Sequence, residues 1–399
     1  MNENLLSQRD KIAGVAFSII AIITSLAIMH GDTSLPYGIF RSVFAISLVP
    51  LLVVLTCTCY SQNSINIRSA IFLIVCILLY EIINSLYTYD NIIHPVDFRI
   101  VIALLCFCLM NNRSRLYAYD IYRYFLIITC ALGIIAYFCN LFSINIPHKV
   151  IPYYDNDDAF YVDYSFAYIC VYMFTDRLCG LFNEPGYLGT FCALFLLSDN
   201  LKLKRKGNII LFVAGVQTLS LAFFLLVLLY FMLTSFKSKK TVFTSLVFIL
   251  IIFISMSYFA QSNPIIEQLL KRFTIEDGVW LGDSRTSGNV DYLFKRMFTQ
   301  GDYLWGYGSG FTKHIDPVGT SSYKNLFLDY GILGTLLYLG PLIISVLTSN
   351  KRFNWGMIVF SLCFFSSIFQ RPSIISCNFM LVLFGGLLHL KNTYKKEKI

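Results

Sequence analysis

Long contiguous apolar runs recur along this chain, and they limit its fold more than any other feature. Residues 12–29 and 241–260 are two of them, each close to the roughly 20 apolar residues that cross a bilayer as a helix. Composition enters as a check: 57% of the 399 residues are hydrophobic, 14% are charged, and the mean hydropathy is +0.66. A water-soluble chain of this size would have too little polar surface to cover itself. The sequence therefore predicts an all-α polytopic integral membrane protein. It forms a single membrane domain over residues 1–399, with about twelve transmembrane helices (11 to 13).

Spans are expected at about 12–29, 37–56, 69–87, 97–110, 121–142, 186–199, 208–218, 220–236, 242–260, 325–348, 353–369 and 374–390. The stretch 208–236 is long for one crossing. Basic clusters stand on both sides of it, Lys202, Lys204, Arg205 and Lys206 before and Lys237, Lys239 and Lys240 after. Both clusters prefer the cytoplasm, so the stretch should go in and come back, turning near Gln217, Thr218 and Ser220. The same rule puts the basic loops at about 200–207 and 237–241, and both termini, in the cytoplasm. The net charge of +8 then reflects topology, and no nucleic-acid partner is expected. Two segments remain outside, about 143–185 and about 261–324, the second a large loop between the ninth and tenth spans. Loops held by a rigid scaffold are where function tends to sit.

The twelve cysteines mostly fall in or beside apolar runs, and none has zinc spacing. Cys170 and Cys179 are the pair placed to meet outside the membrane, but their spacing alone does not lead us to expect a disulfide. No metal and no cofactor is expected. Glu81 is the acid most clearly within a span, where a carboxylate is either functional or paired with a base on another helix.

Arginines on the outer side run against the cytoplasmic bias and ask for a reason. Arg177, Arg285 and Arg371 are such residues. Their forked guanidinium suits a diphosphate, the favoured reading for Arg177 and Arg285; the plainer alternative is that each pairs with a nearby acid or snorkels to the interface. In the segment from Arg177 to Gly189, Pro185 suits the first turn of a helix, with Glu184 at its cap. That helix start presents free N–H groups to an anion, beside a carboxylate able to act as a general base. The glycine string from Gly306 to Gly310 does not follow a strand, so it is read as tight turns and not as a nucleotide loop.

Together the many spans, the large late loop, Arg177…Gly180…Glu184-Pro185-Gly186, and Gly306-x-Gly308 ahead of Asp329-Tyr330-Gly331-Ile332-Leu333-Gly334 resemble the bacterial O-antigen polymerase family. That family shares a superfamily with O-antigen ligases. Residues 177–189 and 306–334 carry the resemblance. Ligases typically have a His-Asn pair before the glycine-bearing helix; here Lys324 precedes Asn325, which favours polymerase. The resemblance implies a glycosyltransferase of the inner (cytoplasmic) membrane. It would join undecaprenyl-diphosphate-linked oligosaccharide repeat units at the periplasmic face in lipopolysaccharide biosynthesis, with membrane lipid and a chain-length regulator as partners.

On that reading Arg177 and Arg285 bind the diphosphate and Arg371 assists. Glu184 is the preferred base and Asp283 the second. Tyr307 and Asn325 are assigned to substrate binding. The alternatives are a ligase moving glycan from the carrier lipid to lipid A-core, and, in a different class, a transporter of polysaccharide or lipid-linked oligosaccharide.

Overall fold

A computed structural model describes residues 8–26, 53–54, 67–90, 105–152, 159–172, 175–235, 267, 270, 275–276, 279–280, 288–315, 322–349, 353–369, 371 and 376–397. These are mostly helical. In chain order the helices are α1 (Gln8–Ile23), α2 (Ile67–Leu86), α3 (Asn112–Leu141), α4 (Pro185–Ser198), α5 (Asn208–Gln217), α6 (Leu221–Ser235), α7 (Gly288–Gln300), α8 (Phe311–Ile315), α9 (Tyr323–Ser349), α10 (Trp355–Ser366) and α11 (Cys377–Glu397). A 3-10 turn, Ser367–Phe369, extends α10. The expected spans at 37–56, 97–110 and 242–260 lie wholly or largely outside the described residues, as do Asp283, Arg285 and the basic loop at 237–241.

The all-α expectation needs correction. The segment expected as an external loop folds into an antiparallel sheet of β1 (Lys149–Pro152), β2 (Ala159–Asp163), β3 (Tyr168–Tyr172) and β4 (Thr175–Gly180), paired in that order. A two-stranded ribbon, β5 (Ile275–Glu276) and β6 (Val279–Trp280), lies in the second loop. The strands are short and rich in Tyr, Val and Ile, residues that suit a half-buried pleated surface.

Two helices, Asn112–Leu141 and Tyr323–Thr348, are long and apolar enough to cross a membrane, and several shorter apolar helices accompany them. Their outer faces are unlike those of a soluble protein. On α3 the exposed residues Tyr124, Ile128, Leu132, Ile135 and Phe138 recur at helical spacing, and on α2 Ile71, Val75, Leu79, Ile82 and Leu86 do the same. Ser114, Arg123 and Thr129 of α3 are buried instead. Stripes of this extent are larger than monomers normally show to water.

The bundle has two chemically different ends. At one end Asp199, just past α4, meets the Arg123 Nη2 at 3.1 Å, the His389 Nε2 of α11 at 2.9 Å, and Arg205. Arg123 also donates to Asn208 Oδ1 (2.6 Å) and Lys206 O (3.1 Å), tying α3 to the start of α5. α3 begins at Asn112, well before residue 121 where the apolar run starts, because Asn111 caps it by accepting from the Ser114 N–H. Arg115 in its first turn donates to Phe107 O (3.0 Å) and Cys108 O (3.0 Å). Changing Asp199 to Asn leaves Arg123 buried without its counter-charge. We expect a loss of about 3–5 kcal/mol, read as a lower thermal midpoint of the purified protein, with much of it recovered in the double variant Asp199→Asn, Arg123→Met.

At the other end lies the four-stranded sheet. α4 runs from the sheet to Asp199, so the sheet and the basic loop around Lys202–Lys206 sit at opposite ends of a helix about 21 Å long. α5 returns towards the sheet, ends at Gln217, and α6 starts back at Leu221. The reversal falls at Thr218–Ser220, as the two flanking basic clusters required. α4 approaches this turn closely because Gly189 faces it: a Cβ there would stand 2.7 Å from Thr218 Oγ1 and 2.8 Å from Ser220 Cβ.

Candidate functional site

The site is built around the start of α4. Glu184 is the N-cap, with extended backbone (φ −144°, ψ 144°), and Pro185 opens the helix. The Glu184 side chain makes no capping hydrogen bond to the helix. Pro185 has no N–H and the Tyr187 N–H bonds Glu184 O (3.1 Å), so the Gly186 N–H is the first-turn donor that the cap leaves uncovered.

The reason the carboxylate turns away is Arg371. Its Nη2 forms an ion pair with Glu184 Oε2, and its guanidinium carbon lies 5.5 Å from the centre of the Tyr187 ring. Arg371 follows the 3-10 turn, held by its N–H to Ser367 O at 2.8 Å. Its side chain is 8% exposed, and its buried Nε finds no acceptor among the described residues. A buried, unfilled donor on a charged group is costly unless something else fills it. From sequence, Glu184 and Arg371 have separate roles; in the fold they are one pair.

Arg177 reaches the same region from the sheet. Tyr161, Cys170 and Arg177 form one cross-strand row over β2, β3 and β4, so their side chains share a face. Tyr161 donates to Asn183 O at 2.6 Å, which turns this face towards the segment leading into α4. Arg177 Nε donates to Thr218 O (3.1 Å) in the α5–α6 turn. This single bond anchors the guanidinium, and its terminal nitrogens have no partner among the described residues.

Residues that sequence reasoning passed over complete the site. Asn378, in the first turn of α11, donates to Tyr187 Oη (2.6 Å) and to Ser25 Oγ (3.0 Å), and Ser25 meets Tyr122 Oη at 2.7 Å. This polar chain sets the Tyr187 ring against Arg371. The signal for Tyr187 was its position three residues after Glu184, one helical turn along the same face. Asn378 and Ser25 gave none, being single polar residues at the ends of apolar runs.

Tyr307 and Asn325 lie among α7–α9, a region that the Tyr323 ring joins to Phe369, two residues before Arg371, at 5.1 Å. Tyr307 stacks near Phe311 (4.5 Å between ring centres) and packs with Val290, Met297 and Leu328 beneath α7. Asn325 lies in the first turn of α9, beside Lys324, whose Nζ pairs with Asp291 at 2.8 Å. The glycine string is a clasp: Tyr307 N–H bonds Leu328 O (2.7 Å), Gly308 N–H bonds Asp329 O (2.9 Å), and Ser309 N–H bonds Tyr87 O (2.8 Å). Asp329 in turn accepts from Thr312 N (2.9 Å) and Thr312 Oγ1 (3.1 Å), capping α8. The conspicuous glycine motif thus joins α2, α8 and α9 by backbone contacts.

Comparison with protein-family models, with curated proteins and with solved structures finds no match for this chain.

Proposed function

We propose that this chain is a membrane-embedded glycosyltransferase that polymerises glycan carried on a lipid diphosphate, an O-antigen polymerase working on undecaprenyl-diphosphate-linked repeat units. The observation that carries the reading is the Arg371–Glu184 pair at an open helix start, with Arg371 buried and still holding an unfilled donor. Arg177 supports it with a second guanidinium from the sheet. The exposed apolar stripes of α2 and α3 support a lipid surrounding. The concentration of basic residues at the Asp199 end supports a cytoplasmic position for that end, and an outer position for the site.

The chemistry follows from charge. The hydroxyl oxygen of one repeat unit attacks the anomeric carbon of another, the bond from that carbon to the lipid diphosphate breaks, and the hydroxyl proton passes to Glu184. The departing diphosphate takes the bonding electrons, and its growing charge must be neutralised. Arg371, Arg177 and the Gly186 N–H at the start of α4 are the groups that do this. While Arg371 is bound to it, Glu184 is a weak base. A bound diphosphate competes for Arg371 and releases the carboxylate, so base activation is tied to donor binding.

The reading is tested by deleting the gene in its host and running the lipopolysaccharide on a gel. The ladder should collapse to core carrying one repeat unit and return on complementation with the wild-type chain. Loss of every repeat unit, with long polymer retained on the carrier lipid, would indicate a ligase. An unchanged ladder would sink both readings.

A further inference from the structure

The sheet that presents Arg177 also brings two cysteines together. Cys170 is on β3 and Cys179 on β4. Cys170 stands opposite Arg177, and Cys179 lies two residues beyond Arg177, so both cysteines project from one face as diagonal neighbours. The pairing then shifts, from Ile169↔Leu178 to Tyr168↔Gly180, leaving Cys179 as the extra residue of a bulge. Both side chains are buried and pack together with Tyr161, between Ile151 and Tyr168. They are thiols in this structure, and the Cys179 thiol donates weakly to Arg177 O (3.9 Å).

The position of this pair sets its chemistry. The sheet lies at the end of α4 opposite the basic loop, which in the reading above is the outer, oxidising side, where disulfides form and persist. The inference rests on that sidedness alone and not on the glycosyl transfer. Cys130 and Cys192 offer the contrast: their sulfurs are 3.6 Å apart, but inside the bundle between α3 and α4, among apolar side chains where a thiol stays inert.

We propose that Cys170 and Cys179 are a disulfide-forming site, closed in the mature protein to a covalent bond across the β3–β4 hairpin. The oxidant is a protein dithiol-disulfide oxidoreductase of the outer compartment. The Cys170 thiolate attacks one sulfur of the oxidant's disulfide, and the Cys179 thiolate then displaces the oxidant from the mixed disulfide. Two thiols lose two protons and two electrons; the oxidant's disulfide gains both and leaves as a dithiol. Cys170 suits the first step, because the neighbouring Cys179 thiol holds its own thiol below the usual range against the opposing effect of burial, with the Arg177 guanidinium across the strand pair adding to the lowering. The bond would tether Arg177 from both sides within one short loop.

Arg177 itself makes the test clean, since trypsin cuts after it. Residues 150–177 then carry Cys170, and residues 178–202 carry Cys179 together with Cys192. The full-length protein is taken from native membranes, its free thiols are blocked in denaturant without reductant, and it is digested and weighed by mass spectrometry. The expected result is one cross-linked species of fragments 150–177 and 178–202, which separates on reduction and disappears in Cys179→Ser but persists in Cys192→Ser. Blocking groups on both Cys170 and Cys179 in the unreduced sample would overturn the proposal, as would a cross-link from either to another cysteine. A reduced pair in a strain with a normal ladder would sink the disulfide and leave the polymerase reading standing. The reverse pattern would do the opposite.

Discussion

Replacing Arg371 by alanine should lower polymer formation by about 10²–10³-fold, the effect of removing one group that stabilises a developing anion, while the protein still accumulates in the membrane. Arg371 forms an ion pair with Glu184, whose side chain is one-third exposed and so can be rehydrated when Arg371 is lost. The fold is therefore expected to tolerate the change. Arg371→Lys keeps the charge but loses the fork and the flat face presented to Tyr187, and should recover only part of the activity. Glu184→Gln should cost about 10²–10⁴-fold by removing the base. The two residues act as one unit, so the double variant should be little worse than the poorer single one. Quantified ladders from complemented deletion strains, normalised to membrane protein, give all four values. Full activity in a stably expressed Arg371→Ala variant would contradict the role given to this pair.

The largest structural effect is expected at Gly331. It interrupts α9 with φ 63° and ψ −168°, a conformation that is essentially restricted to glycine. There is also no room: an added Cβ would lie 2.5 Å from Leu304 C and 2.6 Å from Trp305 C. These are backbone atoms of the clasp and are themselves fixed, since Ile332 N–H bonds Tyr303 O (2.8 Å) and Leu333 N–H bonds Leu304 O (3.1 Å). Gly331→Ala is thus expected to cost about 4 kcal/mol, combining backbone strain with a clash that no side-chain rotation relieves. Gly340→Ala, on the same helix with open space around it, should be neutral or slightly stabilising. Thermal unfolding of the two variants in detergent separates these outcomes. Equal midpoints would mean that α9 is not kinked as described.

Much of this site could be read from the sequence because it rests on strong local rules. Pro185 at the first turn, Glu184 at the cap, and the reversal at Thr218–Ser220 each follow from local backbone chemistry or charge bias, and each stands where the rule put it. The sheet was hidden for a physical reason. Its strands are four to six residues long, below the length that a search for membrane-crossing runs detects, and the acidic residues around them resembled a solvated loop. The pairing of Glu184 with Arg371 was hidden because the two are far apart in sequence and meet only when α10 returns to the sheet end. The start of α3 was obscured by Arg113, Arg115 and Asp120, charges that a search for apolar runs excludes from a span although the helix carries them. Tyr307 belongs to a conspicuous motif whose backbone contacts in the fold are those of a clasp, and Asn325 stands outside that clasp.

The central claim is that the groups around the start of α4 transfer a glycan from one lipid diphosphate to the next. It is tested most directly by purifying the chain into lipid nanodiscs and supplying undecaprenyl-diphosphate-linked repeat units isolated from the deletion strain. The account predicts a ladder of lipid-linked polymers, with one undecaprenyl diphosphate released for each bond formed, and neither product with Arg371→Ala. Folded wild-type protein that binds this substrate yet yields no ladder and no free undecaprenyl diphosphate would contradict it.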